Sequence, residues 1–231
     1  LRASFGFGGI RFISAGVADR IPLVPRVGSE RSKSFIQVEA DFLTRGDLSF
    51  YGIGPRTLDT DETAYGHTSW GGGGRVHVEP WRGTFFEGWV TGRHNVTDEG
   101  ECAESRVAVD PALDGPIARS CDPPTMRRRI LDGEIAPPSS YGRPYKTIKS
   151  GMQVVLDSRP ERPEPGTGVA LGVNGEQAID VDDPRLGQWF TYGASLAGFL
   201  DLTGTQRVLS LTLAANFLTP VGDYEVPFTE L

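Results

Sequence analysis

Apolar and polar residues alternate along most of this chain. The clearest stretch runs from Lys146 to Leu231 and predicts four consecutive β-strands. In the first, Ile148, Ser150, Met152, Val154 and Leu156 share one face. Thr147, Lys149, Gly151, Gln153 and Asp157 share the other, with Val155 the exception. In the second, Thr167, Val169, Leu171 and Val173 oppose Gly168, Ala170, Gly172 and Asn174. The third sets Phe190, Tyr192, Ala194, Leu196, Leu200 and Leu202 against Thr191, Gly193, Ser195, Ala197 and Asp201. The fourth sets Leu209, Leu211, Leu213, Ala215 and Phe217 against Ser210, Thr212, Ala214 and Asn216. Side chains of a strand point alternately to its two faces, so period two is the strand signature. In all four, one face is greasy and the other is small or polar. That combination suits a sheet with lipid on one side and a wet lumen on the other.

The upstream half repeats the pattern less cleanly. Residues 3–17 predict a strand whose phase changes at Gly8-Gly9, which reads as a bulge or kink. Residues 19–33 predict a turn region. Residues 34–45 predict a strand with Ile36, Val38, Ala40 and Phe42 opposite Gln37, Glu39 and Asp41. Residues 46–64 predict a loop. Residues 65–79 predict a strand with Trp70, Val76 and Val78 on one face and Arg75, His77 and Glu79 on the other. A tight connection through Pro80 to Gly83 leads to a returning strand at 84–96. There Phe86 and Val90 face outward, and Glu87, Thr91 and Arg93 face inward. Residues 97–141 predict the longest irregular stretch, with a short helix over 124–132. The later connections alternate: Ser158 to Gly166 is proline-rich, Gly175 to Gln188 longer and acidic, Thr203 to Gln206 tight. The expectation is one domain over 1–231 with about eight strands.

Composition narrows the class. Hydrophobic residues make up 38% of the chain and glycines number 30. No apolar run approaches the roughly 20 residues that a membrane-crossing helix needs. Barrel strands hide their hydrophobicity in alternation, so a membrane barrel stays open. The net charge of −7 argues against a nucleic-acid partner, and Arg127-Arg128-Arg129 is too short a basic block to reverse that. The chain opens on Leu1 and stops at Leu231 inside what reads as a continuing segment. A piece of a longer protein is expected, so its location is not read from a targeting segment.

Candidate chemistry is thin. Glu39 and Asp41 share a face and offer a carboxylate pair for acid/base work. Same-face acids arise in any such strand, so a charged inner wall or a solvated face is the preferred reading. The run Gly71 to Gly74 lacks the Lys-Ser/Thr pair and helix start of a phosphate loop. Strand glycines mark a sharp bend or a close backbone approach instead. His67, His77 and His94 lack zinc-type spacing. Asp180, Asp182 and Asp183 offer calcium-type oxygens without the helix-flanked loop spacing. Cys102 and Cys121 can close a loop disulfide in an exported protein, or stay as two thiols in the loop. No catalytic residue, cofactor or metal is expected. The residues expected to face the lumen are Glu39, Asp41, Arg75, His77, Glu87, Arg93, Lys149 and Gln153.

Four motifs carry a resemblance. They are Phe50-Tyr51-Gly52-Ile53-Gly54; Leu156-Asp157-Ser158-Arg159 followed by Pro165-Gly166-Thr167-Gly168; Arg207-Val208-Leu209-Ser210-Leu211; and Val226-Pro227-Phe228-Thr229-Glu230-Leu231. In this order and spacing they resemble the bacterial surface antigen family, the outer-membrane barrels of BamA and TamA type. The resemblance spans about residues 34–231. It implies an antiparallel up-and-down transmembrane β-barrel of sixteen strands, with the middle half present here. It implies bacterial outer-membrane localisation, lipid as a partner, and unfolded outer-membrane proteins as clients to insert or translocate, without enzymatic chemistry. It makes 97–141 a long extracellular loop. Asp157, Arg159, Pro165 and Gly168 match a periplasmic turn. Val226, Pro227 and Phe228 match the entry to a large outer loop, whose Arg-Gly-Phe motif does not occur in this chain. A passive channel or barrel anchor fits nearly the same strands. A soluble lipocalin-like barrel would need its apolar face turned inward. Eight strands alone are expected as an open curved sheet, without pairing between 3–17 and 207–217.

Overall fold

The computed structural model describes residues 2–6, 12–23, 34–53, 57–58, 61–81, 83–100, 124–159, 166–182, 187–202 and 207–231. Among these, nine strands form one antiparallel sheet in chain order. They are β1 (Arg2–Gly6), β2 (Phe12–Pro22), β3 (Phe35–Phe50), β4 (Thr63–Trp81), β5 (Thr84–Asp98), β6 (Tyr145–Asp157), β7 (Gly168–Asp180), β8 (Gln188–Asp201) and β9 (Val208–Pro220). A short helix, α1 (Met126–Leu131), precedes β6, and a 3₁₀ turn (Phe228–Glu230) follows β9. Each strand pairs with its chain neighbours, and β1 and β9 are the two edges. The fold is thus an all-β, up-and-down, open sheet, the arrangement expected for these residues.

Four stretches differ from expectation. Residues 3–17 are two strands, not one kinked strand: Arg2 lies opposite Gly16, and Gly6 opposite Phe12. Paired glycines fit a hairpin as well as a bulge, and period alone does not separate the two. β2 then continues to Pro22 into the expected turn region, because Asp19, Arg20 and Ile21 find partners in Val38, Gln37 and Ile36. The loops expected at 46–64 and 175–188 are entered by strand from both sides: β3 runs on to Phe50 and β4 starts at Thr63, while β7 runs on to Asp180 and β8 starts at Gln188. A register shift between Arg45 and Leu48 absorbs Gly46 and Asp47 within β3, as a bulge does. In β7, Glu176 and Ala178 lie opposite Gly151 and Lys149, so the alternation runs on under polar residues to Asp180.

The two faces have inverted exposure. On the apolar face Met152 is 69% and Val90 56% exposed, in strands flanked on both sides. On the polar face the side chains of Glu87 and His77 are only 13% and 15% exposed. Exposed apolar side chains are ordinary singly, but a contiguous apolar face is not.

Glycines record which face is concave. A Cβ at polar-face Gly71, Gly73, Gly151, Gly172 or Gly193 would approach another atom to 2.2, 2.4, 2.5, 2.8 or 2.1 Å. On the apolar face, Gly74, Gly88, Gly92, Gly175 and Gly198 meet nothing closer than 3.8 Å, although Gly72 meets the Glu39 carbonyl at 2.7 Å. Rolling the sheet crowds the polar face and splays the apolar one. The glycine run of β4 therefore marks a close backbone approach, as its strand context predicts.

Candidate functional site

The polar residues of the concave face form a wall of ion pairs. Register places Gln37, Arg75 and Trp89 in one cross-strand row and Phe35, His77 and Glu87 in the next. Arg20 Nε donates to Gln37 Oε1 at 2.6 Å, and Gln37 Nε2 donates to Glu39 Oε2 at 2.6 Å. Arg75 lies 3.7 Å from Glu39 and donates to Glu87 at 3.1 Å. His77 Nδ1 sits 3.1 Å from Glu87 Oε2. Its ring lies between Phe35 and Phe85, with centroids 4.9 and 4.8 Å away. Gln153 extends this row on β6, opposite Glu87 and Asn174. The expected lumen-facing residues are therefore on one face, and most are in contact.

Two contacts skip a strand. Arg93 on β5 donates to both carboxylate oxygens of Asp41 on β3, at 2.9 and 3.0 Å. Gly71 lies between them in register. Trp89 Nε1 on β5 donates to Glu176 Oε2 on β7 at 2.8 Å, across Gly151 on β6. A side chain at either glycine would stand in the way. Glu39 and Asp41 are each held by an arginine, so this pair forms a wall rather than an acid/base couple. Arg93 makes both of these contacts through Nη2, and charge-assisted hydrogen bonds of this kind are among the stronger ones.

The chain after β9 crosses this concave face at its loop end. Tyr224 stacks on Trp189, with centroids 6.0 Å apart, and its hydroxyl donates to Asp180 at 3.1 Å. Val226 joins Trp189 and Ala178 in a buried cluster. Phe228 meets the rings of Phe50 and Tyr65 edge-on, at 5.3 and 5.1 Å, with Tyr141 at 6.4 Å. Its amide donates to the Ser139 carbonyl at 3.2 Å, while Ser139 Oγ donates to the Glu225 carbonyl at 3.0 Å. Beyond it, Tyr145 Oη lies 2.5 Å from Thr229 Oγ1 and 3.3 Å from Glu230 Oε1. Lys149 Nζ donates to Glu230 Oε2. Burial pushes the Tyr141 phenol above its ordinary value. Val226, Pro227 and Phe228 are thus buried anchors of a docked segment. Of its partners, Phe50 stands in a motif read from the sequence, but Tyr65, Tyr145 and Trp189 carry no local signal.

The loop before β6 supports this docking. Thr125 caps α1 by accepting from the Arg128 amide, as N-cap threonines do. Met126 is fully buried, and the Ala64 amide donates to the Pro124 carbonyl at 2.9 Å. The helix lies within the 124–132 stretch expected for it. Its three arginines are paired, with Glu99, Asp132 and Glu134 at 3.3, 2.8 and 3.5 Å.

At the opposite end, Arg159 folds back on Asp157 with contacts of 2.5–3.0 Å and sits over the Phe199 ring at 3.8 Å. The Asp157 carboxylate holds the Arg159 guanidinium above its ordinary value. Gly168 completes the turn, since a Cβ there would meet Arg159 Cγ at 2.8 Å. Pro165 lies outside the described residues. The arrangement is a structural clasp. Arg159→Ala is expected to lower stability by about 1–2 kcal/mol, from a charge-assisted pair and a cation–π contact. Urea unfolding followed by tryptophan fluorescence measures it; a change below about 0.3 kcal/mol would remove the clasp.

The remaining candidates separate. Cys102, Cys121 and Asp183 lie outside the described residues. His67 contacts Asn95 at 3.3 Å, His77 contacts Glu87, and His94 stands beside Trp70. Asp180 accepts from Tyr224, and Asp182 pairs with Lys146 at 3.2 Å. Among the described residues, no group of three or more histidine, cysteine or acidic side chains is placed to hold a metal. No described helix is long and apolar enough to cross a membrane, which says nothing of a β-barrel. Compared with known protein families, curated proteins and solved structures, the chain matches none.

Proposed function

We propose that these strands are part of the wall of a transmembrane β-barrel in a bacterial outer membrane, resembling the BamA and TamA type and serving protein insertion or translocation. The observation that carries the reading is the inverted exposure: Met152 and Val90 face out bare while the side chains of Glu87 and His77 are largely buried against each other. Water would penalise that apolar face, and lipid would not. A soluble lipocalin-like barrel has the opposite distribution.

The proposed mechanism is physical rather than chemical. A barrel seam presents backbone N–H and C=O groups that template an incoming strand. The charged wall keeps the interior hydrated, and the docked segment at 224–230 occupies part of it. The sixteen-strand closure and the unfolded clients belong to this proposal through the motif resemblance.

Site-directed labelling tests it. With Cys102 and Cys121 replaced by serine, nitroxide labels at Leu196→Cys and Leu211→Cys are expected to be accessible to oxygen dissolved in lipid. A label at Gln153→Cys is expected to respond to a water-soluble relaxant instead. The reverse pattern would sink the membrane reading. In liposomes, the full protein is expected to speed folding of an unfolded outer-membrane barrel by tenfold or more. Steady ion conductance without that acceleration would favour the passive channel.

A further inference from the structure

We propose that the cradle under residues 224–230 is a peptide-recognition site, taken in this structure by the chain's own segment. Its ligand class is an extended stretch of another protein that carries an aromatic residue and, two positions later, an acid. The inference deepens the reading above by naming the chemistry of the segment recognised.

The site has two pockets at fixed separation. Phe50, Tyr65 and Tyr141 form an aromatic socket around Phe228. Lys149 and Tyr145 form a polar socket around the Glu230 carboxylate. Between them the backbone is held through Ser139, which accepts from the Phe228 amide. Side-chain pockets joined by main-chain hydrogen bonds are how sheets and loops read extended peptides. Lysine supplies a compact charge, and a tyrosine hydroxyl adds direction.

The resident segment does not use all that the cradle offers. Thr147 lies on the concave face of β6 between Tyr145 and Lys149, and Asn95 is the register partner of Tyr145. These two side chains are 1% and 2% exposed. Thr147 Oγ1 and Asn95 Nδ2 nevertheless have no hydrogen-bond partner among the described residues. Buried polar atoms left unpaired are costly, and they mark sites that a better-matched group would complete. A segment that reaches them with an added acceptor gains over the resident. The resident competes because it is tethered and so present at high effective concentration.

The test uses the detergent-held protein and fluorescein-labelled hexapeptides, followed by anisotropy. Ser-Pro-Phe-Ser-Glu-Ser is expected to bind saturably to the Phe228→Ala/Glu230→Gln protein, and at least tenfold more weakly to the unaltered protein. Replacing the peptide's Phe by Ala, or its Glu by Gln, is expected to weaken binding tenfold or more. These peptide changes leave the protein intact, so a folding defect cannot imitate them. Absent binding to the altered protein, with heat-modifiable migration preserved, would overturn the proposal, as would equal binding of all three peptides. Should the double variant fail to fold, the unaltered protein at millimolar peptide decides by the same peptide ranking. Neither lipid contact nor insertion activity enters the readout, so failure here is separable from failure of the barrel reading.

Discussion

Gly73→Val is expected to prevent the sheet from forming in its observed curvature, at about 3 kcal/mol or more. Gly73 stands on the concave face of β4, in the row between Glu39 and Thr91. A Cβ there would lie 2.4 Å from the Val90 carbonyl oxygen and 2.9 Å from Thr91 Cα. Both are backbone atoms, so no rotamer change relieves the clash. Overpacking against movable side chains costs about 1–3 kcal/mol, and fixed backbone puts this site at or above that range. The needed control is Gly92→Ala on β5, whose added Cβ meets nothing within 4 Å. It is expected to be neutral or slightly stabilising, because alanine loses less chain entropy on folding than glycine. Heat-modifiable migration and urea unfolding measure both. Equal behaviour of the two variants would mean that these glycines reflect composition rather than curvature.

The same glycines explain what the sequence makes legible. Face assignment at Ile36 to Phe42, Trp70 to Val78 and Phe86 to Val90 follows from period two alone, and Gln37, Arg75 and Glu87 do share one face of the sheet. Pairing partners do not follow from period. Gly71 looks like an empty position, yet it is what lets Arg93 reach Asp41. Gly151 does the same for Trp89 and Glu176. These contacts become visible only when strands two apart are in register, which is a property of the sheet and not of any window of sequence. The boundary errors have a local cause. Gly46-Asp47 is a turn signal in isolation but falls at a bulge that pairing tolerates, and Gly8-Gly9 lies outside the described residues, between paired strands β1 and β2. The Val226 to Leu231 segment has no periodicity at all. Its position depends on Tyr145 and Lys149, about 80 residues earlier, and long-range contacts of this kind leave no local trace.

Phe228→Ala is expected to release the segment from the concave face while leaving the strands paired. Phe228 is 6% exposed and contacts three aromatic rings. Truncating a buried phenylalanine costs about 3–5 kcal/mol. The socket lies at the rim of an open sheet, so about 3 kcal/mol is expected here, somewhat over a hundredfold in the docking equilibrium at about 1.4 kcal/mol per tenfold. The loss is local because the eight strand pairings do not run through this residue; regions with few contacts open below the global free energy. Amide exchange at Phe228, which donates to Ser139, is expected to quicken about a hundredfold. The urea midpoint is expected to move little. Glu230→Gln is expected to cost less, about 1–2 kcal/mol, because the Lys149 side chain is 25% exposed and water partly replaces the lost carboxylate. Combining it with Lys149→Met removes the stranded charge, so the double variant should recover part of that cost. Additive losses in the pair would mean that Lys149 and Glu230 do not hold each other. An unchanged exchange rate in Phe228→Ala would mean that the aromatic socket does not hold the segment.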